Sequence, residues 1–133
     1  MVTTVSEALE FHDAAIKRGG NDVALAQRAR AMIIQNLRLL QEAGVTVVIG
    51  SDRYATTSLP EALGLRATGV YDDTTLLRMW SVTTPQAIFP DRKIGVLEGG
   101  YEASLLVLAG NPLVDFSNVG RITLRMKEGF LLP

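Results

Sequence analysis

Between Gly44 and Gly50 the chain reads Val45-Thr-Val-Val-Ile49, a short β-branched run with almost no polar face. Such a strand has to be covered on both sides, which is the situation of a parallel strand flanked by helices. The residues before it supply such a helix. From about Asp22 to Ala43, Ala26, Ala29, Ile33, Leu37 and Leu40 recur at helical spacing. Arg28, Arg30, Gln35, Arg38 and Glu42 fall mostly on the opposite side. Gly44 stands where a C′ glycine would close that helix. A long helix, a glycine and a buried strand make half of a βα repeat, so the chain is expected to be an α/β protein.

Around this unit the pattern predicts further helices. Thr4-Val-Ser-Glu7 has the spacing of a capping box, and Val5, Ala8, Leu9, His12 and Ile16 follow on one face until Gly19-Gly20. Leu59 to Ala67 reads as a helix with Ser58 as cap and Pro60 in its first turn. Another starts at Asp72 or Asp73 and turns Leu76, Leu77 and Trp80 inward, and Thr84-Pro85 opens a short one that ends before Pro90. From Gly95 the texture changes. Ser104-Leu-Leu-Val-Leu-Ala109 is expected to be a buried strand. Ile122, Leu124 and Met126 alternate with Thr123, Arg125 and Lys127 as in a half-exposed one. Glu128-Gly129 is a tight turn into Phe130-Leu-Leu132, giving a C-terminal hairpin. The boundary is drawn at Pro90: residues 1–90 mostly helical with one buried strand at 45–49, residues 91–133 a β segment.

Composition narrows the function classes. A chain of 133 residues with 47% apolar and 20% charged residues is large enough for a real core and too apolar for disorder. Its mean hydropathy is positive, which is high for a small monomer and suggests apolar surface meant for a partner. Thirteen basic and fourteen acidic residues leave a charge of −1, with no basic run beyond Lys17-Arg18 and Arg92-Lys93, so neither nucleic acid nor an anionic membrane is an expected partner. With no cysteine, disulfides, thiolate metal sites and thiol catalysis are excluded. Neither a secretory signal nor a membrane-spanning stretch is visible, so a cytoplasmic location is expected.

The residue best placed for chemistry is Asp52. In βα folds the C-terminal ends of the strands carry the active site, and a carboxylate there can ligate a metal and take a proton from metal-bound water. The plainer alternative is an Asp that hydrogen-bonds its own turn. Arg53 and Tyr54 are weak substrate-binding candidates beside it. Ser51 has no histidine near it in the pattern and no nucleophile elbow around it. Gly99-Gly100 precedes a strand and not a helix, so it is no phosphate loop. Trp80 and Tyr71 read as packing groups, the arginines of the long helix as a solvated face, and His12 as a buried, hydrogen-bonded core histidine.

Taken in order, Asn36-Leu-Arg-Leu-Leu-Gln-Glu-Ala-Gly-Val45, Val48-Ile-Gly-Ser-Asp52, Thr84-Pro85-Gln86-Ala87, Ile94-Gly-Val-Leu-Glu-Gly-Gly100, Leu106-Val-Leu108, Gly110-Asn-Pro-Leu113 and Lys127-Glu-Gly129 are similar to the C-terminal end of metal-dependent amidohydrolases, the imidazolonepropionase-like enzymes above all. The resemblance covers about residues 36 to 133. It implies a partial (β/α)8 barrel, the last strand and its helices, followed by part of the small β-domain that flanks the barrel. It implies that Asp52 ends the eighth strand and helps to activate the attacking water at a divalent metal, with zinc the expected ion. Two departures stand out. Ser104 replaces an Asp that the family commonly has before the Leu-Val-Leu strand. There is also no His-x-His, and His12 is the one histidine, so no metal is expected on this chain alone.

Three functional expectations follow. The chain is a piece of a hydrolase of amide or cyclic-amide C–N bonds, inactive by itself because its metal cage is incomplete, and sticky because a cut barrel exposes strand edges. Alternatively it is a non-catalytic module that pairs with itself or with a separate N-terminal half. The third is a metal enzyme built across a dimer interface from Asp52 and His12.

Overall fold

The computed structural model describes residues 1–51 and 55–133, which form two compact units, Met1–Asp72 and Asp73–Pro133. Within the first unit the order is β1 (Val2–Thr3), α1 (Ser6–Arg18), α2 (Val23–Glu42), β2 (Val48–Ile49) and α3 (Leu59–Ala67). The second contains α4 (Asp73–Arg78), a π-helical turn (Met79–Thr83), α5 (Thr84–Ile88), β3 (Leu105–Leu108), a 3-10 turn (Phe116–Gly120), β4 (Ile122–Lys127) and β5 (Phe130–Leu132). The units part between Asp72 and Asp73, whereas the change from helices to strands falls later, between Ile88 and Leu105.

In the first unit β1 and β2 run parallel, Val2 opposite Val48 and Thr3 opposite Ile49, joined through α1 and α2. Val47, Val48 and Ile49 are all buried, as expected of a strand covered on both faces. The strand itself is shorter than its pattern: Val45 and Thr46 are exposed and lead into it. The N-terminal partner strand β1 was not expected, because two residues carry no periodicity. Gly50 allows it to come close. A Cβ there would lie 2.6 Å from Val2 Cγ1 and 2.8 Å from the carbonyl oxygen of Thr3. The core of the unit gathers Leu9 from α1, Ala26 and Leu37 from α2, the β2 residues, and Ala62 and Leu65 from α3.

Helix α2 ends as its sequence indicates. Gly44 has φ +68°, its N–H donates to Gln41 O at 3.0 Å, and Val45 N–H donates to Leu40 O at 3.0 Å. These two bonds are a Schellman closure, which satisfies carbonyls that the helix leaves open. Helix α1 begins differently from the capping-box expectation. Val5, which has no side-chain acceptor, occupies the N-cap position, and the first amides are met from another element, as described below.

The second unit buries Leu76, Met79, Ile94, Phe116 and Val119. Its sheet has the order β3-β4-β5, antiparallel throughout. Glu128 at φ +53° and Gly129 at φ +85° make the two-residue turn between β4 and β5, the positive angles that a tight hairpin requires. The expectation of a buried strand at 104–109 needs correction: Leu106 and Val107 are exposed, and Leu105 and Leu108 only half-buried. Leu106 and Val107 point to opposite faces of the sheet, so neither face is fully covered there and apolarity alone did not bury the run. Gly95 marks a close approach. At φ +89°, a Cβ on it would stand 2.2 Å from the carbonyl oxygen of Ser81 in the π-helical turn.

Candidate functional site

Because β1 and β2 are parallel, the segments that leave their C-terminal ends emerge at one edge: Thr4 to Glu7 after β1, Gly50 and Ser51 after β2. A recess of about 10 Å³ lies there, lined by Thr4, Ser6, Glu7, Ser51, Thr56, Thr57, Pro60 and Glu61. That is room for about one water molecule. Among the described residues of this lining, five bear hydroxyls and two, Glu7 and Glu61, bear carboxylates.

Glu61 organises this edge. It lies in the first turn of α3 and is 1% exposed. Its Oε1 accepts the N–H of Val5 at 2.9 Å and its Oε2 the N–H of Ser6 at 2.8 Å. One buried carboxylate thus caps α1 from α3 and ties the chain that leaves β1 to the helix that follows β2. A charged acceptor makes stronger bonds to helix N-terminal amides than a hydroxyl does, and the positive end of the helix favours it. This explains why the Thr4–Glu7 capping box is not used. Sequence reasoning passed over Glu61, although a lone carboxylate within Leu59-Pro-Glu-Ala-Leu-Gly-Leu65 is the signal of a buried polar group with a fixed partner.

Asp52, Arg53 and Tyr54, the three residues singled out for catalysis and substrate contact, lie outside the described residues. Ser51 is exposed just past β2. His12 differs from its expectation. It is half-buried, not buried, and its ring meets the exposed Phe11 edge-on with centroids 5.4 Å apart. Tyr71 is buried, and its hydroxyl has no hydrogen-bond partner among the described residues; burial pushes its pKa up. Gly100, at φ +89°, sits in a turn ahead of β3.

The divalent metal that the amidohydrolase resemblance implies was tested against the donor set. Among the described residues no group of three or more His, Cys, Asp or Glu side chains could hold an ion. Glu61 already gives one oxygen to each of two amides, and the chain has a single histidine. The described residues do not form a metal site of the three-ligand catalytic kind.

In the second unit Ser104, which stands where an Asp was expected, is well connected. Its hydroxyl donates to Glu102 Oε1 and accepts the N–H of Glu128 at 3.0 Å. Arg92 holds the same carboxylate with two nitrogen–oxygen contacts of 2.7 Å and a third of 3.2 Å. The Arg92 guanidinium and then the Ser104 hydroxyl hold Glu102 below the usual carboxylate range, and Glu102 in turn raises Arg92. A separate apolar groove of about 450 Å³ runs between Leu77, Trp80 and Leu97 on one side and Leu105, Leu108 and Val119 on the other.

No family model matches the sequence, and no curated protein matches it. Solved structures do. A candidate prolidase from Bifidobacterium longum superposes with a TM-score of 0.79 at 24% identity, over 98% of this chain and 34% of its own. The ochratoxinase of A. niger gives 0.77 at 24% identity, covering 98% of this chain and 31% of its own. A Xaa-Pro dipeptidase with methionine bound in its active site gives 0.73 at 21% identity, over 99% and 34%. The likeness is one of fold, and the chain spans about a third of the length of the solved structures it matches.

Proposed function

We propose that this chain is the part of an amidohydrolase-type enzyme that carries the last strand of a (β/α)8 barrel, with residues 91–133 belonging to a flanking β-domain. In the intact enzyme it would serve hydrolysis of an amide or cyclic-amide C–N bond. One observation carries the reading. β2 is a parallel strand buried on both faces that ends at Ile49, just ahead of Asp52, in a fold shared with a dipeptidase and an ochratoxinase. In such folds the reacting groups stand at the C-terminal strand ends.

In this reading Asp52 takes the proton from the attacking water, and Arg53 and Tyr54 contact substrate. Glu61 ties the start of α1 to α3 close to the end of β2. The described residues bring together no three metal-ligating side chains; in this reading further metal ligands would come from residues outside these 133, and the isolated chain would be inactive.

The test is to read the source DNA upstream of the Met1 codon and express the longest frame found. A frame that adds a His-x-His and yields a protein cleaving Xaa-Pro dipeptides or simple amides is the expected result. In that protein Asp52→Asn should lower kcat/KM by about 10²–10⁴-fold, the usual contribution of a positioned general base. Full activity in Asp52→Asn would sink the assignment. A 133-residue chain that by itself binds one metal ion per site, lost in both Asp52→Ala and His12→Ala, would favour the interface enzyme instead.

A further inference from the structure

We draw no further inference here: the strongest candidate, the apolar groove of about 450 Å³ in the second unit between Leu77 and Trp80 on the helical side and Leu105 and Leu108 of β3, lies open in a chain that spans about a third of the solved structures it matches, and nothing in the structure shows what covers it.

Discussion

At the scale of single residues, two buried polar groups show opposite solutions to one problem. Glu61 is buried and fully used, each oxygen holding an amide of the first turn of α1. Glu61→Gln keeps one acceptor and turns an NH2 toward the other amide, so one buried N–H loses its partner. We expect a loss of about 1–3 kcal/mol in unfolding free energy, read from urea denaturation, with faster hydrogen exchange at Val5 and Ser6. Unchanged stability would mean that the carboxylate is not the cap. Tyr71 is buried with its hydroxyl unpartnered among the described residues, so Tyr71→Phe should be neutral or stabilising by up to about 1 kcal/mol. The same burial raises the pKa of this phenol. The folded state therefore keeps a proton that the unfolded state releases near pH 10, and stability should fall as the pH rises above that value. In Tyr71→Phe this alkaline slope should shrink. Gly95 is the third case: with φ +89° and the Ser81 carbonyl 2.2 Å from a would-be Cβ, Gly95→Ala should cost more than about 2 kcal/mol.

Among the elements, the hairpin β4–β5 depends on a small network and not on a core. Arg92, Glu102, Ser104 and the Glu128 amide form a chain of hydrogen bonds at its turn. Glu102 titrates below its ordinary value, held first by Arg92 and then by Ser104. Its contribution is thus complete above the unfolded carboxylate value near 4.5 and is lost as the pH falls through the lower folded value. The group is only half-buried and faces solvent in part, so the effect should appear as a local loosening. Amide resonances of Glu128 and Gly129 should shift with an acid midpoint below 4.5, and the shift should vanish in Glu102→Gln. Movement of the same resonances in Glu102→Gln would assign the titration to another carboxylate. Helix α2 needs no such network, because its apolar stripe and its Schellman closure are both local.

For the whole molecule, each unit has its own buried cluster, but among the described residues neither brings together the ligands of a metal. Zinc at excess should therefore leave the thermal midpoint of the 133-residue chain unchanged, as should chelator, since only an ion bound by the folded state raises it. A rise with zinc that disappears in Asp52→Ala would reveal a site completed by that residue. The same scale decides what was legible beforehand. Periodicity and glycine placement read α2, its closure at Gly44, α3 and the hairpin turn at Glu128-Gly129, because those features are set by neighbours in sequence. The ordered set of short motifs pointed to a fold that the solved prolidase, ochratoxinase and dipeptidase structures share. What it left open was decided by contacts between residues far apart. Val2–Thr3 becomes a strand only because β2 offers a parallel edge beside Gly50. Glu61 becomes a cap only because α3 places it against the start of α1, fifty-five residues away along the chain from Ser6. Leu106 and Val107 are both exposed although they point to opposite faces of β3, which the local pattern of a strand cannot report. A sequence states which faces are apolar; which of them find a cover is a property of the assembled chain.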